Sequence, residues 1–373
     1  AGGSIGSELS RQIATLNPAK IVLMDNSEYN LYNIHLELTG KHPYLDVIPV
    51  LCTVTNYYQL KQIINENNIE TIYHAAAYKH VPIVEENIID SVKNNVFGSY
   101  NLLVTALKHE VKKFILISTD KAVNPTSVMG ATKRISEMCI QAYANEQKDQ
   151  FKSILSIVRF GNVLDSSGSV IPLFREQLKM GGPLTVTHPE MKRFFMLISE
   201  AVGLILETSI ISKGGEVFVL NMGKPVSILQ LAKRMINLSG NKVKDKKGDE
   251  GIQIEFTGLR RGEKLYEELF IDDDYDTTEN KWTTASSHQD TIGVISQPSH
   301  QDEENEEWWA QVTFAGVAFA LADRDIPDQG GKLNVSNGKV FVDNVSGGNG
   351  IIAPIARGQN SRVINDLVMV DIR

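Results

Sequence analysis

The feature that most limits the fold of this chain is an alternation of short apolar runs with longer amphipathic segments, which continues from the start to about Phe270. Apolar runs of this length are typical of buried strands, and they span residues 20–25, 46–51, 70–77, 112–118 and 153–160. Between them lie segments with helical periodicity, at residues 27–38, 57–66, 91–109 and 128–147. This order predicts an α/β fold built on a doubly wound parallel sheet, whose ligands bind beyond the carboxyl ends of the strands.

Composition and charge restrict the function classes. The net charge of −8 argues against nucleic acid as the main partner, because phosphate binding needs clustered lysines and arginines. Two cysteines, Cys52 and Cys139, are too few for a disulfide framework, and their apolar flanks predict buried free thiols. No apolar run reaches the roughly 18 to 20 residues of a membrane-spanning helix, and the first residues do not resemble a signal peptide. We therefore expect a soluble cytoplasmic protein, and no spacing of Cys and His suggests a metal.

Three glycines open the chain in AGGSIGSEL, directly before a helical run. Such glycines let the backbone approach a pyrophosphate, which the amides of the helix N-terminus then hold, although an ordinary turn would explain a lone cluster equally well. Asp25 closes the next strand about 20 residues on, where an acid binds adenosine ribose hydroxyls and disfavours a 2'-phosphate. The pattern predicts a Rossmann-like site for NAD rather than NADP. Its usual first strand and first glycine are absent, so we expect a chain that is truncated at its start.

Six motifs then occur in order: HAAAYKHVPIVE (74–85), STDKAVNPTSVMGATKR (118–134), RFGNVL (159–164), GSVIPLF (168–174), MKRFFM (191–196) and GLRRGEKLYEEL (258–269). Together they resemble the extended short-chain dehydrogenase/reductase superfamily and, within it, the nucleotide-sugar 4,6-dehydratases of bacterial polysaccharide and glycan biosynthesis. The resemblance covers residues 1 to about 271. It implies NAD as the cofactor, a UDP-sugar as the substrate, a homo-oligomer, and a small substrate-binding subdomain drawn mainly from residues 160–271.

The resemblance also implies the contacts of both ligands. The cofactor contacts are Gly2, Gly3, Ser4, Ile5, Gly6, Asp25, Thr53, Ala75, Ala76, Ala77 and Lys133. The substrate contacts are Lys79, His80, Asn162, Ser169, Arg193 and Arg260. The two arginines suit a diphosphate, which their forked donors can bind bidentately, and surface salt bridges are the alternative. Two departures from the family pattern are Arg261, where proline is usual, and CTVTN (52–56), where acidic residues usually lie near the adenine.

Met129 stands where most members of the superfamily have a catalytic tyrosine, four residues before Lys133. A thioether has no proton to exchange, so Met129 cannot be the base, and a purely structural role in the core is the alternative reading. Thr119, Asp120 and Lys121 directly follow a strand and supply a hydroxyl, an acid and a base. The replacement resembles one branch that acts on UDP-N-acetylglucosamine, in which the Asp-Lys pair carries the acid–base work.

The chemistry implied by this resemblance is a redox-neutral dehydration. A hydride leaves sugar C4 for NAD, the resulting ketone acidifies the C5 proton, and the hydride later returns to C6. Lys121, as a neutral amine, would remove the C5 proton, while Asp120, in its acid form, would protonate the departing C6 hydroxyl. Both roles need shifted pKa values, lowered for Lys121 and raised for Asp120. A solvated loop pair would be the ordinary reading of an arbitrary Asp-Lys sequence.

Beyond residue 271 the composition changes. Residues 272–307 read as an acidic polar linker, and residues 308–373 read as a small antiparallel β module in which SNGK (336–339) predicts a tight hairpin. Two function classes therefore remain open for the whole chain. One is a dehydratase with an appended β module, which Asp120, Lys121 and Lys133 favour. The other is an NAD- or nucleotide-sugar-binding protein whose truncated core has lost turnover, or a fusion whose β tail has a structural or binding role.

Overall fold

A computed structural model of the 373-residue chain describes residues 1–146, 152–244 and 250–270, and beyond these only short strands between residues 275 and 368. The chain divides into two compact units, residues 1–292 and residues 293–373. Within the described part of the chain, no helix combines the length and the apolar character that crossing a bilayer requires.

The first unit contains alternating helices and strands. Its helices are α1 (Ser4–Thr15), α2 (Glu28–Lys41), α3 (Tyr57–Asn67), α4 (Val81–Glu86), α5 (Ile88–Val92), α6 (Gly98–Lys108), α7 (Val128–Glu146), α8 (Val170–Lys179), α9 (Ile198–Ile211) and α10 (Ile228–Leu238). Its strands are β1 (Lys20–Asp25), β2 (Asp46–Leu51), β3 (Thr71–His74), β4 (Lys113–Ile117), β5 (Ile154–Arg159), β6 (Asn162–Val163), β7 (Leu184–Val186), β8 (Lys192–Arg193), β9 (Phe195–Met196), β10 (Val217–Val219), β11 (Val226–Ser227), β12 (Ile254–Phe256), β13 (Tyr275–Asp276) and β14 (Lys281–Trp282).

Parallel strands form the centre of this unit. Four of them make one sheet in the order β10-β5-β4-β3, and β1 pairs with β2 in a separate parallel pair. The central strand β4 is buried on both faces, and Phe114, Ile115 and Leu116 are almost inaccessible. Strands buried on both faces read as continuous apolar runs, which explains why the sequence pattern was so clear here. The predicted Rossmann-like α/β fold is confirmed.

Several predicted boundaries agree closely with the structure, whereas the strand predicted at residues 70–77 ends at His74 and the helix predicted at residues 27–38 continues to Lys41. β1 and β2 occupy the residues that the apolar runs predicted, and α7 begins at Val128 as expected. The helix predicted at residues 91–109 is instead α5, a π-helical turn (Lys93–Phe97) and α6. A π turn places one extra residue in the helix and is frequent at functional sites.

A second, smaller core lies between α8, α10 and β7. It contains Phe174, Leu184, Ala232 and Ile236, which are all fully buried. This core is separate from the one that packs α1 and α9 on the main sheet. It falls within residues 160–271, where the sequence predicted the substrate-binding part, and that role stays a prediction.

The second unit consists of antiparallel strands, namely β15 (His300–Asp302), β16 (Glu307–Phe314), β17 (Val317–Ala322), β18 (Lys332–Ser336), β19 (Lys339–Asp343), β20 (Ile352–Pro354) and β21 (Asp366–Val368). β18 and β19 pair with Ser336 opposite Lys339, which confirms the hairpin, although its two turn residues lie outside the described residues. Most of the predicted linker also lies outside them. The predicted boundaries at residues 271 and 307 stay predictions.

Candidate active site

The residues Thr119, Asp120 and Lys121 lie together at the carboxyl end of β4, where Asp120 starts a short 3-10 turn. The Asp120 backbone amide donates to the Phe160 carbonyl at 3.0 Å, which joins this turn to the end of β5. The Asp120 side chain is 0% exposed, and its Oδ1 accepts hydrogen bonds from Thr119 Oγ1 at 3.0 Å and from Lys121 Nζ at 2.9 Å. The structure therefore brings the predicted acid, base and hydroxyl into direct contact.

Glycine is required beside this carboxylate. A Cβ added at Gly161 would lie 2.8 Å from Asp120 Oδ2 and 3.1 Å from Met222 Sδ. Any larger residue would displace the acid or the sulfur atom. This explains the glycine in the RFGNVL motif, for which sequence reasoning had no specific role.

Lys121 has two further partners besides Asp120. Its Nζ donates to Asn162 Oδ1 at 3.1 Å and lies 3.7 Å from Glu267 Oε1. Burial lowers the pKa of Lys121, but the charges of Asp120 and Glu267 raise it more, so its pKa lies above the usual value. The expectation of a lowered pKa is therefore wrong for the protein without ligands, because two carboxyl groups surround the amine instead of one.

Glu267 is the carboxyl group that sequence reasoning missed. Its side chain is only 4% exposed, although it belongs to the GLRRGEKLYEEL segment after β12. The pKa of Glu267 lies above its usual value, because burial and the nearby charge of Asp120 raise it more than Lys121, Arg193 and Lys264 lower it. The motif contains three acids, and spacing alone does not say which of them points inward.

Met129 and Lys133 occupy the first turns of α7. Met129 is 4% exposed and has no acid–base function to offer. Lys133 is buried and its Nζ donates to the Ile117 carbonyl at the end of β4. Burial lowers the pKa of Lys133 to about 8, against the opposing charge of Glu137. The α7 N-terminus is held by Glu85 of α4, whose Oε1 accepts from the Val128 amide at 2.7 Å.

Two other buried residues that sequence reasoning missed hold this region together. Asn95, in the π-helical turn, accepts from the Tyr78 amide at 2.7 Å and donates to the Tyr78 carbonyl and to Thr132 Oγ1, both at 3.0 Å. Glu137 of α7 accepts from Arg159 Nε at 2.8 Å and Nη2 at 2.7 Å. Each contact joins residues that are far apart in the sequence, so no local pattern could reveal it.

The glycine-rich start leads into the N-terminus of α1. Gly3 is the N-cap, and no side chain caps the first amides of this helix. A Cβ on Gly2 would lie 2.5 Å from Asn30 Cβ, and one on Gly6 would lie 2.7 Å from the Ala1 carbonyl oxygen, so neither position has room for a side chain. Uncapped amides behind close-packed glycines fit a pyrophosphate.

Asp25 lies against this glycine-rich turn, at the end of β1. Its carboxylate accepts from the Gly2 amide at 2.7 Å and from the Ser27 amide at 2.9 Å. Ser4 links the turn to the loop before α8, because its Oγ accepts from the Ser167 amide at 3.2 Å. Ile5 and Ala75, the residue that follows β3, both pack on the main core.

The other predicted cofactor residues lie at strand ends. Ala76 is exposed and Ala77 is half-buried, directly after β3. Thr53 follows β2, and its Oγ1 lies 3.0 Å from Thr55 Oγ1. Their contacts with a cofactor stay predictions.

A cavity of about 210 Å³ lies beside Lys121. Its walls include Lys79, His80, Lys121, Arg193, Arg260 and Glu267. Asn162 contacts Lys121 directly, whereas Ser169 is the N-cap of α8, next to Gly168 in the cavity wall. The structure thus gathers most of the predicted substrate residues around one space.

The contacts of Arg193 differ from those expected of a residue that binds a diphosphate. Its guanidinium donates to the carbonyls of Lys192, Lys264 and Leu265 at 2.8 to 3.1 Å. These bonds fix the segment that carries Glu267. Arg260, by contrast, is exposed in the cavity wall and its guanidinium has no hydrogen-bond partner among the described residues.

Comparison with known proteins gives a matching family and a similar protein of known sequence. The model of the family described as "Polysaccharide biosynthesis protein" matches residues 1–287. Capsular polysaccharide biosynthesis protein CapD of Staphylococcus aureus is 52% identical over 270 residues, which are 72% of this chain and 44% of CapD. The chain therefore spans less than half the length of that relative.

Solved structures resemble the same region. The structure of Pen from Bacillus thuringiensis is 35% identical with a TM-score of 0.67, and the match covers 74% of this chain and 81% of Pen. The dTDP-glucose 4,6-dehydratase DesIV from Streptomyces venezuelae, solved with NAD and TYD bound, is 20% identical with a TM-score of 0.60 over 78% of this chain and 92% of DesIV. The second likeness concerns the fold alone.

Proposed function

Because this chain belongs to the polysaccharide biosynthesis protein family, we propose that it is an NAD-dependent nucleotide-sugar 4,6-dehydratase that acts on UDP-N-acetylglucosamine. The observation that carries the proposal is the buried Asp120–Lys121 pair, 2.9 Å apart at the carboxyl end of β4. In the helix α7 that follows, Met129 occupies the position where most members of the superfamily have tyrosine. A dehydration needs one group that takes a proton and another that gives one, and this pair supplies both.

NAD, when bound, would accept a hydride from the sugar and return it. The amides at the start of α1 would hold its pyrophosphate, with Gly2 and Gly6 leaving room for the backbone to approach. Asp25 would bind the adenosine ribose, and Lys133 would bind the nicotinamide ribose. These residues fit the cofactor because they combine the uncapped N-terminus of α1 with Lys133, a buried lysine of α7 whose Nζ contacts the end of β4.

The substrate would occupy the cavity beside Lys121. Lys79 and Arg260 in its wall are cationic and suit the diphosphate of a UDP-sugar. Asp120 and Lys121 would carry the acid–base work as one unit, in which transfer of the Lys121 ammonium proton to Asp120 gives the neutral amine and the carboxylic acid that the dehydration requires. The choice of UDP-N-acetylglucosamine rests on Met129, because the branch that this chain resembles has methionine at that position.

The reaction can be tested by incubating the protein with UDP-N-acetylglucosamine and NAD, separating the UDP-sugars by chromatography that resolves isomers, and measuring their masses. We expect a product that is lighter by one water, and no such product with Lys121→Ala. An isomer of unchanged mass would indicate a 4-epimerase instead. Binding without any new product would favour a binding protein that lacks turnover.

A second prediction concerns cofactor choice. The parent protein is expected to bind NAD more tightly than NADP, because the Asp25 carboxylate repels a 2'-phosphate. Asp25→Ala should weaken NAD binding by about 10- to 100-fold, the usual effect of losing hydrogen bonds to a charged group, and should remove the preference. Titration calorimetry with both cofactors measures these affinities.

The matched control is Asp46→Ala, at the other end of the same pair of parallel strands. Asp46 is exposed, so its loss should leave the ratio of NAD to NADP affinity unchanged. Equal affinities for the two cofactors in the parent protein would contradict the assignment of Asp25.

A further inference from the structure

The contacts of Lys121 include a carboxyl group that the proposed reaction does not yet use. Glu267 Oε1 lies 3.7 Å from Lys121 Nζ, and both residues line the same cavity. Glu267 Oε2 is buried and has no hydrogen-bond partner among the described residues. A buried polar atom without a partner is costly unless it has a function or a ligand, so this carboxyl group requires an explanation.

The segment that carries Glu267 is fixed in place by several bonds. Arg193 donates to the carbonyls of Lys264 and Leu265, and its Nε lies 3.7 Å from Glu267 Oε1. Lys264 Nζ donates to the Val123 carbonyl at 3.0 Å, which attaches the segment to the turn that contains Lys121. The bonds of Arg193 and of Lys264 thus both fix the position of Glu267 relative to Lys121.

Lys121 Nζ therefore has three anionic or polar neighbours, Asp120, Asn162 and Glu267. An ammonium group has three N–H donors, and its geometry is determined when each donor has a neighbour. Two of the three neighbours are carboxyl groups, which favour the charged form of the amine. Arg193 is the cation that opposes them.

We propose that Glu267 is a positioning residue of the active site, which holds the Lys121 amine in the cavity wall beside Asp120 and Asn162. Glu267 acts through Lys121, so no contact with the substrate is required. The proposal rests on the proposed function for its catalytic meaning. Its structural content, the position and charge of one amine, can be measured without any substrate.

The test measures the reactivity of Lys121 towards acetic anhydride across a range of pH, with the modified peptides quantified by mass spectrometry. Only the neutral amine reacts, so the pH dependence reports the charge of Lys121. With Glu267→Gln, the reactivity curve of Lys121 should move to lower pH, and acylation near pH 8 should become about three- to tenfold faster. The exposed Lys112 serves as the internal reference.

Glu268→Gln is the matched control, because Glu268 is the adjacent acid and pairs with Lys264 instead of Lys121. It should leave the Lys121 curve unchanged. Glu267→Asp keeps the charge and should retain most of the parent behaviour, which guards against a folding defect in the glutamine variant. An unchanged curve in Glu267→Gln, or an equal change in Glu268→Gln, would overturn the proposal.

A kinetic measurement adds a second readout. If the protein is a dehydratase, Glu267→Gln should lower kcat by about 10- to 100-fold with little change in KM, because a misplaced reacting group affects the chemical step. A raised KM at unchanged kcat would instead make Glu267 a binding residue and contradict the proposal. If the parent protein dehydrates no sugar, the proposed function fails, and the acylation curves still decide the role of Glu267.

Discussion

Replacing Lys121 by Ala, or Asp120 by Asn, is expected to lower dehydratase turnover by about 100- to 10,000-fold, whereas Met129→Ala should retain most of the activity. Lys121 and Asp120 can both exchange protons at the end of β4, and they contact each other at 2.9 Å. Met129 has no proton to exchange. Turnover of UDP-N-acetylglucosamine, measured by the formation of the dehydrated product, compares the three variants.

The side chain of Met129 is buried, so its truncation will also cost stability, by about 2 to 5 kcal/mol for a core position. Met129→Leu conserves volume and provides the matched control, and all variants should be assayed well below their unfolding temperatures. A loss of activity in Met129→Ala as large as that in Lys121→Ala, in a protein that still binds NAD, would mean that the roles are assigned wrongly.

Breaking the buried ion pair between Glu137 and Arg159 is expected to have the largest effect on stability. Both side chains are almost completely buried, at 0% and 1% exposed, and they form two parallel hydrogen bonds. Arg159→Met should lower the free energy of unfolding by about 3 to 5 kcal/mol, because it leaves a buried carboxylate without its main counter-ion. Urea denaturation of the variant and the parent measures the difference.

Lys179→Met tests an exposed ion pair as the control, because Lys179 and Glu176 are both largely exposed on α8. Its effect should stay within about 1 kcal/mol. The double variant Arg159→Met with Glu137→Leu should recover part of the loss, since the buried Glu137 carboxylate is then gone. Equal effects at the buried and the exposed pair would refute this account.

The same pair makes stability depend on pH. Burial raises the pKa of Glu137, but Arg159, Arg134 and Ser118 lower it more, so its folded pKa lies below the ordinary value of 4.5. A group with a lowered pKa stabilises the fold above its unfolded pKa and loses that contribution as the pH falls through the folded pKa. The urea midpoint of the parent should therefore fall in acid more steeply than that of the double variant.

The two predictions differ in how much the sequence alone could support them. Asp120 and Lys121 follow an apolar run directly, and a residue in that place lies at the carboxyl end of a parallel strand whatever the rest of the chain does. Glu137 sits within a helical pattern that does not distinguish it from a solvent-exposed acid. The tertiary structure places Arg159, at the end of β5, against Glu137 and so shows that Glu137 is buried in an ion pair.

The sequence by itself predicted the strands β1 to β5, the helices α1, α2, α3 and α7, and the place of the candidate site, but not the shorter strands that follow β5. Those features depend on the periodicity of neighbouring residues, and β1 and β2 were therefore predicted to the residue. Only the tertiary structure shows that the pKa of Lys121 is raised and that Glu267 lies 3.7 Å from Lys121. It also shows that the Arg193 guanidinium donates to main-chain carbonyls. These properties depend on burial and on groups that are distant along the chain, and electrostatic interactions change with separations of a few ångströms that no sequence pattern specifies.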